Sequence, residues 1–185
     1  INLPTNIGYD STLIVKDNGI GMTFEECQER FLNVGWCRRG NSPNERTKEK
    51  DRPVLGRKGI GKFAGFGIAS VIKIETINKH TGEKIEFDLD INDLRSDEYI
   101  ESSGGKIDVI SYSPPDDNMK TEHGTIVTLK QLTITRRPSR SQFSKSMARR
   151  FLLHQRTHDF RIFIEDEPLS ERDRKSTRLN SSHYS

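Results

Sequence analysis

The stretch DNGIGM, from Asp17 to Met22, is followed further along the chain by a second glycine-rich run, GRKGIGKFAGFGIAS, from Gly56 to Ser70. Glycines let a backbone turn sharply and come close to a ligand, and successive N–H groups can bind phosphate oxygens. Asp17 is an acceptor-only carboxylate when ionised, so it could accept a hydrogen bond from the exocyclic amine of adenine. The two runs, in this order and with a polar loop between them, predict a site for adenine and phosphate.

The first run lies between a predicted strand and a predicted helix. Ser11 to Lys16 carries three consecutive apolar residues and predicts a short strand, which ends at the turn-forming sequence DNG. Thr23 and Glu26 have the spacing of a capping box, so we expect a helix from there to about Gly35. Asp17 is thereby placed at a strand end, beside the start of a helix.

A long polar loop separates the two glycine-rich runs. Trp36 to Leu55 contains two prolines and mostly charged or small polar residues, with almost nothing to bury. Loops of this length inside a compact domain are usually functional lids or disordered segments. We interpret this loop as a lid, and we expect the second run to open a helix from about Gly61 to Ala69.

The rest of the chain predicts an α+β domain. Alternating apolar and polar residues indicate strands, and one segment with apolar residues along one side indicates a helix. The predicted strands are Val71–Asn78, Lys84–Asp90, Lys106–Ser111, Gly124–Leu129 and Phe160–Glu165, and the predicted helix is Ser139–Gln155. This order predicts a two-layer α/β sandwich with one mixed sheet and helices on one face.

Two other phosphate-binding motifs nearly match the second run. The P-loop pattern fits Gly56, Gly61 and Lys62, but Phe63 replaces the hydroxyl that would hold magnesium. The dinucleotide fingerprint fits residues 59–64 loosely. Both motifs need a preceding strand, which the polar loop does not provide. A glycine-rich turn without any ligand is a further alternative.

Taken together, the motifs resemble those of the GHKL, or Bergerat-fold, ATPases, a superfamily that includes gyrase, the large heat-shock chaperone, histidine kinases and a mismatch-repair protein. DNGIGM resembles the first glycine box, and GRKGIGKFAGFGIAS resembles the second. Gly124-Thr125, entering a strand, resembles the third element, and the lid lies in the expected place. The resemblance covers roughly Thr12 to Leu129 and implies the fold predicted above.

The resemblance also implies a role for each matching residue. Asp17 would bind the adenine amine, with the help of a water molecule that Thr125 also holds. Other residues would line the base pocket, and a second group would wrap or neutralise the phosphates. The base-pocket residues are Gly19, Gly21 and Met22, and the phosphate residues are Arg57, Lys58, Gly59, Ile60, Gly61 and Lys62.

The resemblance implies an ATP-hydrolysing conformational switch, with Mg²⁺ as a second cofactor and a homodimer in the whole protein. In the family, an earlier helix carries a glutamate that activates water and an asparagine that binds magnesium. The residues before Asp17 contain no glutamate and no helical pattern. We therefore assign no catalytic or metal-binding residue, expect a chain truncated at both ends, and expect no ATP turnover by it.

Composition is consistent with a globular protein that has long polar loops. Apolar residues make up 31% of the chain and charged residues another 31%. No apolar run is long enough to cross a membrane, so no membrane partner is expected. Two cysteines, Cys27 and Cys37, are too few for a disulfide framework, which favours a reducing, cytoplasmic location.

Three segments are expected along the chain. Residues 1–135 would form a partial ATP-binding domain, and residues 136–172 a basic helix plus a strand that begins a following region. Residues 173–185 resemble a translated sequencing adapter and would be a non-native tail. Removing the three basic residues and one acid of that tail lowers the formal net charge from +3 to +1. The apparent basicity of the chain is therefore weak evidence for nucleic-acid binding.

Two further functions remain open. The first is DNA binding through residues 136–161, where basic side chains greatly outnumber acidic ones, although a solvated helix face with its apolar stripe packed on the sheet is the favoured explanation. The basic residues are Arg136, Arg137, Arg140, Lys145, Arg149, Arg150, Arg156 and Arg161. The second is a histidine-kinase catalytic domain. That function would need a phosphoacceptor histidine on an upstream dimerising helix.

Overall fold

The computed structural model describes residues 1–8, 10–31, 46, 51, 61–94, 109–157, 160–170 and 173, with the backbone alone at residues 30, 61–63, 94 and 152–157. The strands in chain order are β1 (Leu13–Asp17), β2 (Ala69–Ile77), β3 (Lys84–Asp90), β4 (Val109–Ser113), β5 (Gly124–Leu132), β6 (Phe163–Ile164) and β7 (Glu167–Pro168). The helices are α1 (Phe24–Glu26), α2 (Ile91–Leu94) and α3 (Arg140–Thr157). Short helical segments of other pitch occupy Cys27–Phe31 (π), Gly61–Gly67 (3₁₀) and Asp117–Glu122 (3₁₀).

Five strands form one sheet, in the order β1-β5-β2-β3-β4. All four pairings in this sheet are antiparallel. The α+β class is therefore as predicted, but the described sheet is antiparallel where a mixed sheet was expected. The connection between β2 and β3 is a short turn, which can join only antiparallel neighbours, because parallel pairing needs a long crossover.

The two faces of the sheet differ in chemistry. The side chains that share the inward face are Leu13, Val15, Asp17, Ile72, Ile74, Thr76, Ile85, Phe87, Leu89, Thr125, Val127 and Leu129. On the other face Lys73 contacts Glu86 at 2.7 Å, and Lys130 contacts Asp88 at 2.9 Å. Most of the inward face is thus apolar and buried, while the other face carries ion pairs, which is typical of an antiparallel sheet.

The hydrophobic core lies on the inward face and draws on both ends of the chain. Ile72, Ile74 and Phe87 of the sheet are buried there, each contributing about 1.5–3 kcal/mol of transfer free energy. Ala148 of α3 and Ile164 of β6 belong to the same buried cluster. The boundary expected near residue 135 stays a prediction, but residues from both sides of it share this one core.

Most local predictions agree with the structure within a few residues. The capping box is confirmed: the Thr23 hydroxyl accepts from the Glu26 N–H, and the Glu26 carboxylate accepts from the Thr23 N–H. The helix expected at Gly61 forms as a 3₁₀ segment that packs tightly on the sheet. A Cβ added to Gly65 would lie 2.8 Å from both Ile72 Cδ1 and Leu129 Cδ2, so a side chain there would displace core atoms.

Two predictions concern residues outside the described ranges. The lid between Trp36 and Leu55 is almost entirely outside them, and so is the tail after Asp173. Among the residues that the structure describes, no helix is long and apolar enough to cross a membrane.

Candidate nucleotide-binding site

The predicted adenine-binding residue lies at one end of a row of polar side chains across the inward face. Asp17 of β1 pairs with Thr125 of β5, and Thr125 pairs with Thr76 of β2. Directly opposed residues in an antiparallel sheet place their Cβ atoms about 4.5–5.5 Å apart on the same face. The sheet therefore brings a carboxylate and two hydroxyl groups together next to the first glycine-rich loop.

Asp17 holds the loop through one of its two carboxylate oxygens. The Gly19 N–H donates to Asp17 Oδ1 at 2.7 Å. A side chain at Gly19 would collide with this arrangement, because its Cβ would lie 2.7 Å from the same oxygen. Within the described residues, Asp17 Oδ2 has no hydrogen-bond partner, and the residue is exposed. One carboxylate oxygen is thus structural and the other is free to accept from a ligand.

Thr76 is a member of the site that sequence reasoning missed. Only 1% of this residue is exposed. Its Oγ1 accepts from the Met22 N–H at 3.0 Å and lies 3.2 Å from both the Gly124 carbonyl oxygen and Thr125 Oγ1. The sequence does carry a signal: Thr76 continues the inward alternation of Ile72 and Ile74, so a hydroxyl replaces the apolar residue expected there.

Two glycines of the site are required by close backbone contacts. Gly21 has φ +64°, and a Cβ there would lie 1.9 Å from the Ile77 carbonyl oxygen. Gly124 has φ +137°, and a Cβ there would lie 2.2 Å from the Asp17 carbonyl oxygen. Only glycine accepts such φ values together with such approaches without strain. The loop that follows β1 is therefore in close backbone contact with the end of β2 and the start of β5.

Further hydrogen bonds fasten the same loop to its surroundings. The Lys79 N–H donates to the Ile20 carbonyl oxygen at 2.9 Å. His123 Nδ1 lies 2.6 Å from the Gly19 carbonyl oxygen, and because a carbonyl only accepts, the ring nitrogen is the donor. No sequence pattern predicts His123 at this position, since its contact with Gly19 depends on the strand pairing.

Residues 1–125 match the family described as histidine kinase-, DNA gyrase B- and HSP90-like ATPases. The chain belongs to this ATPase family. The match covers both glycine boxes and reaches Thr125, so the predicted membership is confirmed.

Several curated proteins are similar to this ATPase-family chain. HgiDII of Herpetosiphon aurantiacus, provisionally named as a type II restriction enzyme, is 30% identical over 172 residues, covering 91% of this chain and 26% of that protein. The chaperone protein HtpG of Burkholderia cenocepacia is 36% identical over 83 residues, covering 40% of this chain and 13% of HtpG. HtpG of Fusobacterium nucleatum is 28% identical over 123 residues, covering 64% of this chain and 17% of HtpG.

A solved structure is also similar. It contains the ATPase and transducer domains of DNA topoisomerase II from Balamuthia mandrillaris, with 15% identity and a TM-score of 0.49, and it covers 86% of this chain and 39% of that one. Compared with the curated relatives described above, the chain spans about a quarter of HgiDII and less than a fifth of the HtpG proteins.

The family's second glycine box is only partly within the described residues. Arg57, Lys58, Gly59 and Ile60 lie outside them, and Gly61 and Lys62 are described by backbone alone. Gly65, within Gly61–Gly67, lies against Ile72 and Leu129, which form one row across the sheet with Leu13. A second row, formed by Asp17, Thr125 and Thr76 and called the Asp17 row, lies four residues further along the strands, at a distance of about 13 Å.

A group of polar side chains lies around α1, in which Cys27 and Glu83 are buried and Tyr112 is half exposed. Burial, with smaller contributions from the charges of Glu26 and Glu83, raises the pKa of the Cys27 thiol to about 12. A hydrogen bond to Glu83 raises the pKa of Tyr112, whose ring contacts that of Phe24 edge to face with centroids 5.6 Å apart. The Cys27 thiol and the Tyr112 hydroxyl therefore stay protonated at neutral pH, and Cys27 contributes to packing and is not a nucleophile.

Proposed function

We propose that this chain binds ATP, with the adenine ring on the inward face at the Asp17 row. The observation that carries the proposal is the pairing of Asp17 with Thr125, which aligns a free carboxylate oxygen and a hydroxyl on one face. Family membership supports it independently, because the family is one of ATPases.

The chemistry of this row favours adenine. Asp17 can only accept hydrogen bonds, and adenine presents an exocyclic amine that donates. A base with a carbonyl oxygen at that position would place two acceptors against each other. Because the carboxylate has one oxygen already bonded to Gly19, its orientation is fixed before any ligand arrives.

Other residues would complete the pocket. Met22 is half-buried against the core and offers a polarisable apolar wall for a flat ring. Gly19 and Gly21 allow the ring to approach the backbone. From the Asp17 row, the nucleotide would extend toward the second glycine box, where the backbone of residues 57–62 would wrap the phosphates and Lys58 or Lys62 would neutralise them.

For the whole protein we propose an ATP-driven conformational switch that works as a homodimer. Mg²⁺ would accompany ATP there and neutralise phosphate charge. No group of metal ligands occurs in the described part of the chain, so we assign no residue to the ion. These proposals concern the whole protein, because the relatives of this chain are several times longer than the chain itself.

The test is isothermal titration calorimetry with ATP and GTP on the chain and on Asp17→Asn. The variant keeps the size of the side chain and removes the charge, so a lost charged hydrogen bond predicts about tenfold to hundredfold weaker ATP binding. Asp10→Asn, in the exposed turn before β1 begins, is the matched control and should bind ATP normally. Equal binding by the Asp17 and Asp10 variants, or no binding by the folded chain, would contradict the proposal.

A second candidate is DNA binding through the exposed side of α3. Glu165 and Glu167 lie close in space to the basic helix and form ion pairs with Arg137 and Arg140. Three other cations of α3 form no ion pair within the described residues: the exposed Arg149 and Arg150, and the half-buried Lys145. HgiDII, provisionally named as a restriction enzyme, is similar across this segment too.

Salt dependence of duplex DNA affinity tests this second candidate. Each phosphate contact contributes about 0.9 to the slope of log K against log salt, so removing two contacts lowers the slope by roughly two. The test variant is Arg149→Gln with Arg150→Gln, and the control is Lys16→Gln with Lys84→Gln, which removes two charges from the sheet. Identical slopes in the two variants would exclude binding through α3.

A further inference from the structure

Thr76 has more hydrogen-bond neighbours than its single hydrogen can serve. A threonine hydroxyl has one hydrogen to donate and two lone pairs that accept. One lone pair accepts from the Met22 N–H. The hydrogen can then point either to the Gly124 carbonyl oxygen or to Thr125 Oγ1, since both lie at 3.2 Å. The hydroxyl pair of buried Thr76 and half-buried Thr125 therefore has two internally consistent arrangements.

The two arrangements present opposite chemistry at Thr125. If Thr76 donates to Gly124, the Thr125 hydroxyl can donate back to Thr76, and Thr125 offers only lone pairs to the pocket. If Thr76 donates to Thr125, the Thr125 hydrogen is free to point into the pocket. Because Thr76 is buried and its partners are fixed backbone and strand groups, the direction of its hydrogen sets what Thr125 can offer.

We infer that Thr76 selects the purine base by setting the hydrogen-bond direction of Thr125. This inference rests on the proposed function, which places adenine against Asp17. Next to its amine, adenine carries a ring nitrogen, N1, that accepts a hydrogen bond. The arrangement in which Thr76 donates to Thr125 supplies a donor for N1, directly or through one water molecule. Hypoxanthine has the opposite pattern, with a carbonyl oxygen and an N1 hydrogen.

Thr76 thus acts as a positioning residue that touches no ligand itself. Its bond from the Met22 N–H also ties the first glycine box to β2, so its loss would loosen the loop for every nucleotide equally. Selectivity between bases separates the two roles, because a loosened loop lowers ATP and ITP affinity together. A change in the ratio of the two affinities reports on the hydroxyl direction alone.

The experiment measures ATP and ITP dissociation constants for the chain and for Thr76→Val, Thr76→Ser and Thr128→Val. We expect Thr76→Val to lower the selectivity for ATP over ITP roughly threefold to tenfold, the range for one net hydrogen bond. Thr76→Ser keeps the hydroxyl and should retain the wild-type ratio. Thr128 lies on the outer face of β5, so Thr128→Val is the matched control and should also retain it.

A second readout needs no nucleotide. In Thr76→Val the Met22 N–H loses its acceptor, so its hydrogen exchange should accelerate, whereas Thr76→Ser should keep it protected. Unchanged Met22 exchange in Thr76→Val would overturn this inference and leave the proposed function standing. ATP binding by Thr76→Val with an unchanged ratio of ATP to ITP affinity would do the same. Absence of ATP binding by the folded wild-type chain would instead contradict the proposed function and the base selection with it.

Discussion

Asp17 and Thr125 lie directly opposite each other in the β1–β5 ladder, although β2, β3 and β4 all fall between them in the chain. The first residue ends β1, and the second follows Gly124 at the start of β5. The Gly124 contact with the Asp17 carbonyl oxygen fixes how closely the two strand ends approach. The carboxylate and the hydroxyl therefore form one site and not two.

If they act on one ligand, their effects on ATP binding should not add. We expect Asp17→Asn combined with Thr125→Val to show a coupling free energy of at least about 0.5 kcal/mol in a double-mutant cycle measured by calorimetry. Asp17→Asn combined with Thr128→Val is the control pair and should be additive, because Thr128 lies on the outer face. Additivity in both pairs would mean that the two groups bind independently.

Gly21 should tolerate no side chain. Gly21→Ala places a Cβ 1.9 Å from the Ile77 carbonyl oxygen at φ +64°, so the backbone must shift. We expect a loss of at least about 2 kcal/mol in the free energy of unfolding, measured by urea denaturation.

Gly67→Ala is the matched control for Gly21→Ala. A Cβ at Gly67 meets no atom within 4 Å, and its φ is not positive. We expect this change to alter the free energy of unfolding by less than about 1 kcal/mol. Equal losses in the two variants would show that the close contact at Gly21 does not determine stability.

The buried thiol of Cys27 predicts a loss of stability at high pH. Its pKa in the folded chain is about 12, against an ordinary value of 9.0, so the folded state holds the proton more tightly. The associated stability is fully present below pH 9 and is lost as the pH rises from 9 toward 12, at up to about 1.4 kcal/mol per pH unit.

The measurement compares the free energy of unfolding of Cys37→Ser with that of Cys37→Ser combined with Cys27→Ala, between pH 8 and pH 10.5. The first protein should lose stability relative to the second above pH 9. Its thiol should also resist alkylation at pH 8 until denaturant is added. Rapid alkylation of the native protein would place Cys27 at the surface and contradict its burial.

The β6–β7 hairpin should be stabilised by glycine at one turn position. Glu165 and Asp166 form a two-residue turn with φ +51° and +65°, a geometry that favours glycine at the second position. Glu165 also pairs with Arg137, so it is left unchanged. We expect Asp166→Gly to raise the free energy of unfolding by up to about 1 kcal/mol.

Asp166→Ala is the control for this change. It removes the same carboxylate but keeps a Cβ in the left-handed region, so stability should not rise. Thermal unfolding of both variants measures the difference. A gain in both would point to the lost charge, and not to the backbone conformation, as the cause.

Short-range features were predictable because their partners lie a few residues away. The capping box at Thr23 and Glu26 and the β2–β3 hairpin depend on spacing and alternation alone. The 3₁₀ pitch of Gly61–Gly67 was not predictable, because it accompanies the close approach of Gly65 to Ile72 and Leu129. Tertiary packing therefore selected the 3₁₀ pitch, whereas local propensity allowed several helical pitches.

The sequence by itself determined the class of the fold, the two glycine boxes and the ATPase family, since each depends on residue types in a fixed order. Only the tertiary structure placed Thr76 and His123 in the site and paired Arg140 with Glu167. These contacts follow from strand register and from the packing of α3. A shift of one residue in register turns every side chain to the other face, and no local pattern states which distant strand is the partner.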